Sequence, residues 1–397
     1  MKKILYILAP NDRFNYGDLL FSKILSHYFK KYVDELVLCS TSDADLRDLG
    51  GDKVNSYQCL YHANPNNSNY LIVAGGESLF ARWSTIMSYV DPKMDKLMRI
   101  SMKIFRRRVT EYITTPLLDR FYRKLYHIRT RYPFSIGKNE LPSFKCVIYN
   151  SLGASWLLNN STILKNANNR AILESVDYIS VRDCETQKAL KIAGFDVPVM
   201  PDCAILMSKI FDEDFLVHHI NPQLARAGIV EKEYVFFQAN FGLEKEFKQD
   251  LIKLAKSLYI DKGKKVCLCP IGTALGHNDD VGLKDLALSL DNNIYFLIDR
   301  PSVWDIMWLI KNAYLYIGSS LHGVITSMSY GTPFIGHSVS KLYAYIEKWC
   351  NIPQSHFAPI CEVQNIINRA IKDKVDISEQ YNQIMQSFTS IANLLDD

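Results

Sequence analysis

No stretch of this chain stays apolar long enough to cross a bilayer, which excludes a helical membrane span. It also lacks any CxxC pair. Its nine cysteines are scattered, and Cys267 and Cys269, two apart on one face of an expected strand, read as core rather than as metal ligands. The pattern suits a reducing cytosolic compartment without structural disulfides. Charge of one sign is not in excess: a net +4 does not by itself argue for nucleic acid, no recognised binding module accompanies the basic residues, and a mild positive balance suits anionic substrates. Nor does the start read as a cleavable leader. The start, MKKILYILAP, has the lysines and apolar run of a signal peptide, but the run is too short. Asn11-Asp12-Arg13 stands where small residues would be needed, so a first buried strand is the better reading.

What is present is an alternation of short apolar runs with longer amphipathic ones. At 397 residues two domains are expected. In the first half, strands are expected at Ile4–Leu8, Leu36–Cys39, Tyr70–Ala74, Cys146–Tyr149, Tyr178–Val181 and Val197–Met200, with helices at Asp18–Phe29, Thr162–Glu174 and Cys184–Ala193. A second series has strands at Tyr234–Gln238, Val266–Cys269, Ile294–Ile298, Tyr314–Ile317 and Pro333–Ile335. Its helices are expected near Leu243–Tyr259, Gly282–Leu290 and Val303–Lys311. Such alternation predicts parallel sheets with crossover helices. Met207–Val230 lacks strand periodicity and carries Asn221-Pro222, so the joint falls there. The reading is an α/β chain with an N-terminal domain over 1–215 and a C-terminal domain over 216–360. In a tail over 361–397, Ile377, Tyr381, Ile384, Phe388 and Ile391 form a helical stripe that packs back on the body.

One segment breaks the rhythm. Residues 82–140 are rich in Arg, Lys, Tyr and Phe and poor in acids, as in Met102–Val109 and Phe121–Arg129. They predict helices inserted into the first domain. A basic, aromatic amphipathic helix can lie on an anionic membrane surface; a solvated hairpin or a dimer contact explains the same composition.

The segment Leu315–Gly336, LYIGSSLHGVITSMSYGTPFIG, carries the most chemistry. It reads as strand, turn, a helix from about Gly323 to Tyr330, turn and strand, with His322 at the first turn. Ligands of open α/β sheets bind beyond the carboxyl ends of the strands, and a helix N-terminus offers N–H groups to an anion. A histidine there suggests proton transfer on a phosphorylated or carboxylated substrate. Other strand ends point the same way. Asn15-Tyr16-Gly17-Asp18 opens a helix after the first strand, where Asp18 either caps or faces the cleft. Gly75-Gly76-Glu77-Ser78 ends a strand in a turn able to seat a sugar or phosphate. Val181-Arg182-Asp183 places a guanidinium fork at the cleft edge, beside a capping Asp183, and Pro201-Asp202 gives Asp202 a similar position. In the second half, the loop Pro270–Asp280 carries His277, whose spacing to its neighbouring Asp residues matches no metal motif, so substrate contacts are expected in place of a metal.

Taken in order, these motifs resemble the polysaccharide pyruvyl transferase family: Asn15–Asp18, Gly75–Phe80, Val181–Asp183, Pro201-Asp202, Leu321–Gly323, Gly331–Gly336 and the following Lys341. The resemblance runs from the first strand to about residue 350. It implies two Rossmann-like domains facing across a cleft, as in the GT-B glycosyltransferases, the first taking the acceptor and the second the donor. It also implies phosphoenolpyruvate as donor and a sugar as acceptor; ketal formation from these requires no metal, and no cofactor is expected. One departure stands out: where the family has Ser-Arg-Leu-His-Gly, this chain has Ser319-Ser320-Leu321-His322-Gly323. Ser320 replaces an arginine expected to hold the donor.

On this reading His322 is the acid, Arg182 clamps the donor and Asp18 is the base on the acceptor hydroxyl. Gly75, Gly76 and Ser78 line the acceptor side, while Ser319 and Ser320 donate to phosphate. Gly17, Asp183, Asp202, His277, Gly323 and Lys341 complete the expected substrate contacts. The acceptor belongs to a capsule, exopolysaccharide or cell-wall precursor. The basic segment favours a lipid-linked acceptor and a cytoplasmic protein held peripherally on the inner face of the plasma membrane. Ser320 keeps two other readings open: a nucleotide-sugar glycosyltransferase on the same plan, and a non-catalytic glycan-binding relative. Retention of His322, Arg182 and Asp18 together argues against the second.

Overall fold

The computed structural model describes residues 1–104, 113–160, 162–239 and 244–396. Two five-stranded sheets carry the fold, and all their strand pairs are parallel. The first contains β1 (Lys3–Leu8), β2 (Glu35–Cys39), β5 (Ser68–Ala74), β6 (Phe144–Leu152) and β7 (Tyr178–Val181), in the order β2-β1-β5-β6-β7. The second contains β8 (Tyr234–Gln238), β9 (Lys265–Leu268), β10 (Tyr295–Leu297), β11 (Leu315–Gly318) and β12 (Phe334–Gly336), in the order β10-β9-β8-β11-β12. A small hairpin, β3 (Ala44–Asp45) with β4 (Lys53–Val54), was not expected from its polar sequence.

The helices that matter below are α1 (Tyr16–Phe29), α2 (Trp83–Met87), α3 (Pro92–Ile104), α4 (Thr115–Leu125), α5 (Cys184–Ile192), α6 (Lys245–Lys262), α7 (Asp279–Ala287), α8 (Val303–Lys311), α9 (Leu321–Tyr330), α10 (Val363–Lys372) and α11 (Ser378–Asp396). Alternation along each strand sends side chains to opposite faces. Leu5 and Ile7 enter one core, Tyr6 and Leu8 another. The first of these cores does not stop at a domain boundary. It runs from β1 and α1 through α8 and α9 to β8, and takes in Ile384, Phe388 and Ile391 of α11. The outer face of the second sheet has a separate core under α6, α7 and α10. In α11, Phe388 meets Tyr28 and Phe29 of α1 at ring-centroid distances of 5.1 and 5.0 Å. Tyr178 and Ser387 hydroxyls bond at 2.8 Å. The terminal helix thus returns to the first sheet, whereas α10 stays on the second.

Several expected elements differ. Val197–Met200 forms no strand; only Val199 bridges to Val181, because Pro198 and Pro201 cannot donate to a ladder. The expected helix Thr162–Glu174 is two short helices, Thr162–Lys165 and Ala167–Glu174, split where Asn166 accepts from the amides of Asn168 and Asn169 and caps the second. The segment Met207–Val230, expected as the joint, holds short helices at Met207–Ile210, Glu213–His219 and Pro222–Arg226. The helix expected from Gly323 begins two residues earlier, at Leu321, since Ser320 caps it, so His322 lies inside the first turn. Within the inserted segment, part of Met102–Val109 lies outside the described residues. No helix among the described residues is long and apolar enough to cross a membrane.

Candidate active site between the two sheets

In a doubly wound sheet, the crevice opens where the strand order reverses. In the first sheet that point lies between β1 and β5, and in the second between β8 and β11. Residues just beyond these strand ends, Pro10, Gly76, Glu77 and Ser78 on one side and Gln238, Ser319 and Ser320 on the other, line a single cavity of about 440 Å³. The two halves are tied at its edge. Tyr16 N–H donates to the Ile271 carbonyl at 3.0 Å, and the amides of Thr273 and Ala274 both donate to the Phe14 carbonyl at 3.1 Å. Tyr16 and Thr326 hydroxyls bond at 2.8 Å.

Beneath the cavity lies an ionic array centred on Asp202, which is fully buried. Its Oδ1 accepts from the Ala204 amide at 3.0 Å, capping the next turn. Its Oδ2 faces His322 Nε2 at 3.4 Å and an Arg182 guanidinium nitrogen at 3.5 Å. Burial pushes this carboxyl up, but His322 and Arg182 outweigh it and hold its pKa below the ordinary value. Arg182 is 5% exposed and reaches Glu77 Oε1 at 3.5 Å with its other terminal nitrogen. Glu77 in turn accepts from the amide and hydroxyl of Ser155 at 3.1 and 3.2 Å. For Arg182, burial opposes the charge, while Glu77, Asp202 and Asp183 more than offset it, so the guanidinium stays ionised. The His322 ring lies against Gly17: a Cβ on that glycine would sit 1.9 Å from Nδ1. The edge of Phe21 closes another side of the ring, with centroids 5.5 Å apart.

Across the cavity, Arg13 pairs with Asp12 at 3.2 Å and Asp18 at 3.4 Å and lies over the Tyr89 ring at 5.5 Å. Asn15 caps α1 by accepting from the Gly17 amide, and its Nδ2 contacts His277 Nε2 at 3.2 Å. Burial, together with Arg13 and Lys341, lowers the His277 pKa against the pull of Asp18. Lys341 opens to the solvent of the cleft yet is ringed by protein; burial and Arg182 lower its pKa, with Glu77 and Asp18 opposing.

The turn before His322 is already hydrogen-bonded. Gln238 Oε1 accepts from the amides of Ser319 and Ser320 at 2.9 and 3.0 Å and from the Ser319 hydroxyl at 3.2 Å. Its Nε2 donates to Asp279 at 3.2 Å. Ser320 Oγ accepts from the Gly323 amide at 3.3 Å. Of the donors expected to hold phosphate, the Ser319 hydroxyl is therefore engaged elsewhere, and Ser320 serves as a helix cap. Asp279 also accepts from the amides of Ile271 and Gly272. Burial, only partly offset by those bonds, pushes it up to about 6.

Asp18, Gly76, Ser78, Arg182, His277, Ser319, Ser320, His322 and Lys341 line the cavity. Gly17, Gly75, Asp183, Asp202 and Gly323 do not, and each has a nearer structural task. Gly17 makes room for the His322 ring and Gly323 for the Tyr316 hydroxyl. Gly75 has φ +136°, a conformation that favours glycine, against Pro10. Asp183 caps α5 through the Thr186 amide at 2.7 Å. Asp202 orients rather than touches. Arg13, Glu77, Tyr89, Gln238 and Asp279 also line the cavity but were not singled out as site residues. Glu77 sits inside a motif already marked, and Gln238 ends a strand at the reversal point, so both carried a readable signal; Arg13 and Tyr89 carried none. Among the described residues, no group of three His, Cys, Asp or Glu side chains is placed to hold a metal.

Comparison with known proteins bears on the family and the fold. Residues 15–340 match the family model described as Polysaccharide pyruvyl transferase. No curated protein matches the chain in sequence. Among solved structures, a UDP-N-acetylglucosamine 2-epimerase from Rickettsia bellii superimposes with a TM-score of 0.56 at 10% identity, over 100% of this chain and 96% of its own. S. aureus MnaA, solved with UDP, gives 0.57 at 11% identity, over 100% and 98%. The UDP-GlcNAc 2-epimerase of Methanocaldococcus jannaschii, in complex with UDP-GlcNAc and UDP, gives 0.53 at 10%, over 98% and 100%. At such identities these likenesses establish the GT-B-like two-domain fold and nothing more.

Proposed function

We infer, from the premise that the chain belongs to the polysaccharide pyruvyl transferase family, that it moves the enolpyruvyl unit of phosphoenolpyruvate onto a sugar of a capsule, exopolysaccharide or cell-wall precursor. The product is a pyruvate ketal, and phosphate is released. The observation that carries this reading is the buried Asp202 holding both His322 and Arg182 at the floor of a cavity that Arg13 and Lys341 also line. Such a site suits a small, multiply charged anion that must also receive a proton.

The chemistry runs in two additions. His322 delivers a proton to the methylene carbon of the donor, and the central carbon gains cation character. A first sugar hydroxyl adds there and gives up its proton, with Asp18 as base. The carbon–oxygen bond to phosphate then breaks, and phosphate departs with the bonding pair. A second hydroxyl of the same sugar adds and loses its proton, closing the ketal. Two hydroxyl protons are released and one is taken up by the methylene; the other leaves with phosphate or solvent. Arg182 clamps the donor carboxylate or phosphate. Asp202 stays ionised and keeps His322 and Arg182 in register, so they act as one unit. Arg13, Arg182 and Lys341 supply the positive charge that Ser320 does not.

The acceptor is lipid-linked on this reading, and the protein works peripherally at the inner face of the plasma membrane. Ser320, where the family has an arginine, favours one rival donor class, a nucleotide sugar. Calorimetric titration of phosphoenolpyruvate, with uridine diphosphate sugars in parallel, separates the two. Binding of phosphoenolpyruvate that weakens on the order of tenfold to a hundredfold in Arg182→Ala is expected for a lost charge-assisted clamp. Binding of a nucleotide sugar alone would overturn the assignment.

A further inference from the structure

The helix α4 turns an apolar stripe outward. Thr115, Asp119 and Tyr122 face the protein and are buried, while Leu117, Phe121 and Leu125, at helical i, i+4 spacing, are 62%, 65% and 56% exposed. The orientation is held by contacts, not by chance packing. The Asp119 carboxylate accepts from the Ser84 amide at 2.7 Å and pairs with Arg82 at 3.2 Å, and the Tyr122 ring stacks on Trp83. Helix α3 repeats the theme: Met94 and Ser101 are buried, and Leu97, Ile100 and Ile104 are exposed. Seven of the eighteen large apolar side chains found exposed among the described residues lie on α3 and α4. Scattered exposed apolar residues need no explanation, but concentration on two helices does.

Charge distinguishes the occupants. Helices α3 and α4 carry seven Lys and Arg against two acids, Asp95 and Asp119. Both acids are already paired, with Arg99 and Arg82. A second copy of this surface would bring like charges together. The anionic face of a lipid bilayer would accept the apolar side chains and attract the basic ones. The surface is also continuous with the cleft: α2 packs on both α3 and α4, its Ile86 lines the cavity, and Tyr89, just before α3, does too.

We propose that α3 and α4 form a docking surface for an anionic lipid leaflet, seating the cleft mouth beside a membrane-borne acceptor. This deepens the lipid-linked reading of the acceptor and rests on it only for its purpose. The test uses the full chain and vesicles of phosphatidylcholine with and without phosphatidylglycerol. The wild type should be retained on the anionic vesicles, and salt should release it. A Leu117→Ser/Phe121→Ser/Leu125→Ser variant should lose roughly tenfold per residue in partitioning. A Lys96→Gln/Lys103→Gln/Lys124→Gln variant should lose roughly fivefold per residue. These side chains are exposed, so folding and phosphoenolpyruvate binding should be unchanged in both variants. A wild type that stays in solution at low salt, or variants retained as well as the wild type, would overturn the proposal. So would a wild-type dimer that the serine variant dissolves, because a second copy would then cover the stripe. Failed retention with intact phosphoenolpyruvate binding removes only the docking surface; retained docking without phosphoenolpyruvate binding removes only the pyruvyl transfer reading.

Discussion

Gly17→Ala tests whether the position of His322, the proposed acid, depends on a missing methyl group. The new Cβ would lie 1.9 Å from His322 Nδ1 and 2.3 Å from Cγ, whereas non-bonded heavy atoms rest about 3.5 Å apart or more. The ring must therefore move by roughly 1.5 Å. It has little room, with Phe21 on one side and Asp202 at 3.4 Å on another. Misplacing a reacting group by about 1 Å costs on the order of a hundredfold in rate. Two opposed effects act on stability. Alanine inside a helix is better than glycine by about 1 kcal/mol, and overpacking a tight site costs about 1–3 kcal/mol. The expected variant is slightly less stable, turns over on the order of a hundredfold more slowly, and binds phosphoenolpyruvate nearly as well, because Arg182 is untouched. Phosphate release, calorimetry and thermal unfolding read the three quantities. An alanine variant that is more stable than the wild type and equally fast would refute the argument, since the ring would then not be confined by Gly17.

Two further outcomes follow from the same site. His322→Ala should lower turnover by about a hundredfold or more while the protein stays folded, and a near-normal rate in phosphate release would remove His322 from the acid role. Asp279, raised to about 6, holds its proton more tightly in the folded chain than in the unfolded one. Its contribution to stability is thus full at low pH and is lost as pH rises from about 4 through about 6, by up to about 3 kcal/mol. Asp279→Asn removes that slope, so the variant should gain on the wild type between pH 4 and pH 7 in urea unfolding; a constant difference would contradict the assignment.

Much of the architecture was legible because it is written in local periodicity. Tyr178–Val181, Tyr234–Gln238 and Val303–Lys311 have in the structure the bounds their patterns predicted. Errors arose where a local pattern met a competing constraint. The apolar residues of Val197–Met200 suggest a strand, but flanking prolines withhold the donors a ladder needs. His322 was placed at a turn because glycine and serine precede it, yet Ser320 caps the helix early. In the cavity, single residues were easier to find than their pairings. Asp202 was noted as a strand-end acid, while its burial beneath Arg182 and His322 appears only when residue 322 folds back over it. Gln238 went unnoticed because its importance lies in what it holds, the Ser319–Ser320 turn and Asp279.

By itself the sequence determined the alternation of strands and helices, the two-domain plan and the ordered motifs that mark the family, because all three depend on side-chain periodicity and near-neighbour backbone preferences. Tertiary structure decided the rest. It selected the strand orders whose reversal points face one cavity and the core that continues across both sheets. It also brought together Glu77, Arg182, Asp202 and His322, and turned α4 so that an apolar stripe faces outward. Those outcomes depend on which surfaces meet across long chain separations, where burial, ion pairing and steric fit act jointly and no local window contains the partners.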